Sequence, residues 1–257
     1  MAPAKTAYFL DFDHTLFNTD EFFHVDVRNA FLGLGIDAAD WEQSYAAVWP
    51  SGYLLEKHVE EVHRRSGKQL PLQQMKCVLQ SSFSDLRRYL FPDVLPFLQR
   101  AKKSGVHLCL LSFGHEQWQR YKLLACGLDG YFDDVFFTAN EGGKSKLVEQ
   151  WTKDMARTVV AVDNNALELD LMKDVAPQVQ TYCMSRVPAG LVFPTDELSR
   201  LKFLEARRFL ERVARHQHTP CTSLDGLLEE KKPPLRKKSG PAREPRATHR
   251  GQRLKPS

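Results

Sequence analysis

Four short stretches hold side chains able to do chemistry together. Asp11 and Asp13 stand one residue apart in DFDHT, and Thr15 closes that stretch. Ser112, followed by Phe113 and Gly114, ends the apolar run VHLCLLSFG. Lys144 lies in GGKSK, two residues before Lys146. Asp163 ends TVVAVD and is followed by Asn164 and Asn165, with Glu168 and Asp170 soon after. Carboxylates at the end of an apolar strand are costly to desolvate unless something pairs them. Beside a small hydroxyl and an ammonium, they suit acid–base work, nucleophilic attack or the binding of a hard cation.

The hydrophobic pattern supplies the elements that must position these groups. Tyr8, Phe9 and Leu10 read as a buried strand ending in Asp11. From about residue 20 to 90 the pattern is helical. Its four segments are DEFFHVDVRNAFLGLG, DAADWEQSYAAVW, YLLEKHVEEVHRRSG and PLQQMKCVLQSSFSDLRRYLF. The second opens on Asp37, an N-cap residue, and the fourth on proline. From residue 92 the text alternates. PDVLPFLQRAKKSG, EQWQRYKLLACG and KSKLVEQWTKDM read as helices; VHLCLLSFG, YFDDVFFT, TVVAVDNN and VQTYCMSRV read as strands. Continuous apolar strands alternating with helices predict a parallel sheet covered on both faces. In such a sheet ligands bind beyond the carboxyl ends of the strands, which is where all four stretches fall. The expected fold is α/β, a three-layer Rossmann-like parallel sheet with a helical domain inserted after the first strand. The core is expected over 1–16 and 91–216 and the helical insertion over 17–90. A further helix is expected over DELSRLKFLEARRFLERVARH.

Charge is unevenly spread over the 257 residues. The net +4 conceals ten Lys or Arg and one Glu in residues 231–257, so the rest of the chain is slightly acidic. Residues 217–257 are read as a basic disordered tail. The stretch 231–257 offers weak polyanion contact, without an aromatic side chain to stack on bases. The five cysteines are odd in number and lack metal-site spacing, which favours a reducing compartment. The N-terminus lacks the apolar core of a signal peptide, and no apolar run approaches the length of a membrane span. A cytoplasmic protein is expected.

Over roughly residues 7–185 the chain resembles the haloacid dehalogenase-like hydrolases, most of which are Mg-dependent phosphatases. DFDHT resembles the family's first motif, DxDxT. LLSFG resembles the second, Lys144 in GGKSK fits the third better than Lys146 does, and VVAVDNN resembles the acidic fourth. The resemblance implies that Asp11 attacks phosphorus, forming an aspartyl phosphate. It implies that Asp13 protonates the leaving oxygen and then activates water. Thr15, Ser112, Phe113 and Lys144 would hold the phosphoryl group. Mg²⁺ would be held by Asp11, Asp163 and the Asp13 carbonyl, with Asn164 and Glu168 in supporting places. Asn164 departs from the pattern, since a second acid often stands there, and His14 occupies a position often held by glycine.

The implied activity is hydrolysis of a small phosphorylated metabolite. The alternatives are a phosphotransferase of the same family, a dehalogenase, and a non-enzymatic protein using the same fold and the basic tail. Asp13 and Thr15 argue against the dehalogenase. The resemblance implies that the insertion over 17–90 is a helical cap over the site, with Phe22, Phe23, Trp49 and Tyr53, and His24 and Arg28, as candidate substrate contacts. Side chains of these types at helical spacing are also ordinary core residues.

Overall fold

A computed structural model describes residues 6–48, 53–67, 71–140, 142–154, 158–186 and 214–228. Six parallel strands form one sheet: β1 (Ala7–Leu10), β2 (His107–Phe113), β3 (Asp134–Thr138), β4 (Val159–Asp163), β5 (Gln180–Met184) and β6 (Thr219–Cys221). Their order is β3-β2-β1-β4-β5-β6. β1 lies between β2 and β4, with Phe9 opposite Cys109 on one side and Ala161 on the other.

Helices cover both faces, as the apolar strands require. Tyr8 and Leu10 point to one face, with Leu108, Leu110, Val160 and Val162. They pack on α5 (Val94–Ser104) and α6 (Glu116–Ala125) through Phe97, Leu98, Trp118 and Leu123. Phe9, Cys109, Leu111 and Ala161 point the other way, against α7 (Gly143–Asp154) and α8 (Ala166–Val175). This is the expected three-layer Rossmann-like α/β architecture. Among the described residues, no helix is long and apolar enough to cross a membrane.

Between β1 and α5 the described residues are mostly helical. A π-helical stretch, Asp20–Val27, runs directly into α1 (Arg28–Gly33). There follow α2 (Ala38–Val48), α3 (Leu55–Arg65) and α4 (Leu72–Ser82). Asp37 Oδ1 accepts from Ala39 N at 2.7 Å, as an N-terminal cap should. The chain leaves and re-enters the sheet region along adjacent strands of backbone. Asn18 N donates to Tyr89 O at 2.7 Å and Phe91 N to Leu16 O at 3.1 Å.

The carboxyl-terminal part differs from the sequence expectation. The helix expected over 196–216 lies outside the described residues as far as 213, and 214–218 are irregular. Residues 217–228, assigned to the basic tail, instead add β6 to the sheet and bury Leu224. The reason is long-range pairing. Asp170 on α8 is fully buried and accepts from Arg215 N at 2.7 Å and His216 N at 2.8 Å. Tyr8 Oη on β1 donates to Leu227 O at 2.6 Å. The stretch 231–257 lies outside the described residues.

Candidate active site

The strand order reverses between β1 and β4, and the chain turns away from both at the same sheet edge. Asp11 N donates to Val162 O at 2.9 Å, keeping β1 in register with β4 up to its first carboxylate. Beyond it the backbone closes tightly: Leu16 N and Phe17 N both donate to Phe12 O. His14 lies within this turn at φ +59°, a conformation that glycine adopts most readily and histidine tolerates better than most residues. Its Nδ1 is 3.4 Å from Asp20 Oδ1.

Lys144 sits at the centre. It enters from the first turn of α7, its side chain 3 % exposed. Its ammonium donates to Asp11 Oδ1 and to Asp163 Oδ2, at 2.7 Å each. Lys146 is exposed. Thr15 Oγ1 donates to Asp11 Oδ2 at 3.2 Å, and Asn165 N to Asp163 Oδ1 at 2.8 Å. Asn165 also caps α8 by accepting from Leu167 N at 3.0 Å. With its amide nitrogen facing the site, Asn164 donates to Asp13 O at 3.2 Å and Asp11 Oδ2 at 3.3 Å. Glu168, buried in the first turn of α8, places a further carboxylate beside Asp163.

Electrostatics follow from this crowding. Burial, then the Asp163 charge, push the Asp11 carboxyl up to about 7 against the pull of Lys144. Burial also raises Asp163, against Lys144 and the Asn165 amide. At Lys144 burial disfavours the ammonium, but the two carboxylates outweigh it and raise its pKa. Among the described residues one ammonium thus serves the two buried carboxylates of Asp11 and Asp163, an arrangement that favours a further cation.

Asp13 points to different company. Its Oδ1 accepts from Lys122 Nζ at 2.5 Å and Thr19 Oγ1 at 2.6 Å; its Oδ2 accepts from Gln119 Nε2 at 2.8 Å. Burial opposes its ionisation, but Lys122, Thr19 and Gln119 prevail and hold its pKa down at about 2. As arranged, Asp13 is a proton acceptor.

Ser112 is fully buried at the end of β2, and among the described residues its Oγ has no hydrogen-bond partner. Thr138 Oγ1, at the end of the neighbouring β3, is in the same state. Buried hydroxyls are rarely left so, and both suit a ligand's oxygen. Phe113 is 42 % exposed at the lip of the sheet. Gly114 follows at φ +136°, and a Cβ there would lie 2.6 Å from Gln119 Nε2. Gly114→Ala is therefore expected to cost about 1–3 kcal/mol and to displace Gln119 from Asp13. A denaturant midpoint unchanged from wild type would contradict this.

The structure thus brings Asp11, Thr15, Lys144, Asp163, Asn164 and Glu168 together, with the Asp13 carbonyl, and places Ser112 and Phe113 at the end of the adjacent strand. Phe22, Phe23 and Tyr53, candidate substrate contacts, are buried in ring packing. Phe22 meets Phe17, Phe83 and Trp118; Phe23 meets Trp41, Tyr45 and Tyr53. Arg28 Nε donates to Glu42 within the helical segment. Trp49 and the His24 side chain lie outside what is described. Sequence reasoning missed Thr19, Gln119 and Lys122. A signal was present: positions 118, 119, 122 and 123 share the buried face of α6, and two of them are polar. It also missed Tyr45, whose hydroxyl pKa is raised by burial and then by the Asp13, Glu42 and Asp20 charges.

Residues 5–166 match the sequence model of the haloacid dehalogenase-like hydrolases. No curated protein sequence matches the chain. Solved structures do. A protein named as a haloacid dehalogenase-like hydrolase, from Burkholderia xenovorans LB400, superposes with a TM-score of 0.63 at 16 % identity, covering 88 % of this chain and 95 % of its own. L-2-haloacid dehalogenase from Xanthobacter autotrophicus, with chloropropionic acid covalently bound, gives 0.59 at 17 % identity, covering 87 % and 96 %. A protein named as a β-phosphoglucomutase, from Thermotoga maritima, gives 0.50 at 15 % identity, covering 81 % and 99 %. At these identities the likeness is one of fold.

Proposed function

The chain belongs to the haloacid dehalogenase-like hydrolases, and from that premise we propose that it is a phosphatase acting on a small phosphomonoester through an aspartyl phosphate on Asp11. One observation carries the reading: among the described residues, Asp11 and Asp163 are buried on a single ammonium. Displacement of a halide by one carboxylate would be hindered by so much neighbouring negative charge. Phosphoryl transfer assisted by a divalent cation uses it.

The donor set fits Mg²⁺. Asp11, Asp163 and the Asp13 carbonyl are hard oxygen ligands, and burial has already made the two carboxylates unfavourable as free anions. When bound, the ion would supply positive charge to phosphoryl oxygens. The chain's own groups do the rest. Asp11 attacks phosphorus, oriented by Thr15 and Lys144. Lys144 and Ser112 hold the phosphoryl oxygens, with Phe113 framing the entrance. Asp13 attends the departing oxygen and then the attacking water. Residues 17–90 act as a cap that covers the site and excludes water.

The test is release of inorganic phosphate from a panel of phosphorylated metabolites and p-nitrophenyl phosphate, with Mg²⁺ and with chelator. Release that requires Mg²⁺ is expected, with no chloride released from 2-chloropropionate. Metal-independent chloride release would overturn the reading in favour of a dehalogenase. Phosphoryl transfer to an added hydroxyl acceptor, without hydrolysis, would favour a phosphotransferase.

A further inference from the structure

Helix α6 begins immediately after β2 and carries Gln119 and Lys122, one turn apart, to Asp13. Lys122 is as enclosed as Lys144: its side chain is 3 % exposed, while that of Asp13 is 24 % exposed. Apart from its ion pair, the ammonium faces aromatic rings, with centroids at 5.1 Å for Phe12, 5.4 Å for Phe17 and 6.0 Å for Trp118. A desolvated lysine is costly unless paired, and ring faces offset part of that cost. So enclosed an ammonium has no path to a substrate without leaving its cage. Whatever it does in catalysis, it does through Asp13.

The hydrogen bonds say what that is. A carboxylate has about four acceptor positions. On Asp13, Lys122, Thr19 and Gln119 occupy three. Gln119 is itself anchored by donating to Phe113 O at 2.7 Å. Each partner presents a hydrogen, so the carboxylate is held in one orientation, with one acceptor position left open by the described residues. We propose that Lys122 is a positioning residue that fixes Asp13 as the base of the second displacement, the hydrolysis of the phosphorylated Asp11. This rests on the phosphatase reading. In that step a water oxygen bonds to phosphorus while the bond between phosphorus and the Asp11 oxygen breaks. The electron pair of that bond returns to Asp11, and the open position of Asp13 takes the proton from water. In the first displacement a p-nitrophenolate group departs without needing a proton, so Lys122 is dispensable there.

Lys122→Met tests this, because methionine fills the same aromatic cage without charge. With p-nitrophenyl phosphate and Mg²⁺, the variant is expected to lose about ten- to a hundredfold in kcat. KM should fall by a similar factor, leaving kcat/KM unchanged. Rapid mixing should show a burst of about one equivalent of p-nitrophenol, and Lys122→Arg should recover part of kcat. Gln119→Leu should show the same pattern more weakly. A loss in kcat/KM equal to that in kcat, with no burst, would mean that Lys122 only supports the fold and would overturn the inference, leaving the phosphatase reading intact. A folded wild-type protein that releases no p-nitrophenol would overturn both.

Discussion

Asp11→Asn is expected to lower phosphate release by about 10⁴-fold or more while leaving the protein folded. Asparagine keeps the shape of the side chain and one oxygen to accept from Lys144, and its amide nitrogen can donate to the Thr15 hydroxyl, but it cannot form the aspartyl phosphate. The stability argument separates loss of chemistry from loss of fold. Burial and Asp163 raise the Asp11 pKa to about 7, above the value of about 3.9 expected in an unfolded chain. The native state therefore holds a proton that the unfolded state has released between those values. Stability falls as pH rises through that window, so the charged carboxylate is a burden at pH 8 without metal. Removing it should leave the melting temperature in chelator no lower than that of wild type. Retained turnover in a folded Asp11→Asn protein would end the proposed mechanism.

Arg186→Met carries the second large effect, on stability. Arg186 is 6 % exposed and ties three parts of the molecule together. Its Nε donates to Thr15 O at 3.0 Å in the turn after β1. Its Nη1 donates to both oxygens of Asp93, at 2.9 Å each, and to Thr222 O at 3.2 Å. Its guanidinium lies 4.4 Å from the Phe91 ring centroid. Asp93 is the residue before α5 and also accepts from Leu224 N at 2.6 Å. Removing one partner of a buried ion pair strands the other, and the expected cost is about 3–5 kcal/mol. The denaturant midpoint should fall accordingly, with the slope preserved. Burial opposes ionisation of Asp93, but Arg186 and the Leu224 amide prevail and depress its pKa. A depressed carboxylate contributes stability above its unfolded pKa and loses it as pH falls through the folded value. The difference between wild type and variant should therefore shrink in acid. A midpoint within experimental error of wild type at pH 7 would show that the pair contributes no net stability.

Much of this protein is written in short-range patterns. Apolar runs such as VHLCLLSFG and TVVAVD, short and bounded by turn residues, read as strands covered on both faces, because their side chains on either side need burial. The alternation with helices then dictates a parallel sheet, and strand ends dictate where Asp11, Ser112 and Asp163 emerge. Lys144 was legible for a similar reason: its spacing to Leu147 and Val148 puts it in the first turn of a helix whose apolar face follows.

What the tertiary structure alone decided lies in contacts between residues far apart in the chain. Asp13 meets Lys122 across 109 positions, and Thr15 meets Arg186 across 171. Arg186 carries no local mark of burial, and Lys122 only its place on a helix face with Trp118 and Leu123; each type is normally a surface residue, and only its partner makes the interior tolerable. The segment 217–228 escapes the pattern on the same ground, since its three-residue strand has no periodicity of its own and is held by Asp170, Asp93 and Tyr8 through His218, Leu224 and Leu227. Periodicity and motif spacing specify which side of each element must be buried. Which charged groups are paired when that surface closes is set by packing, and here packing sets the surroundings of the carboxylate at Asp13.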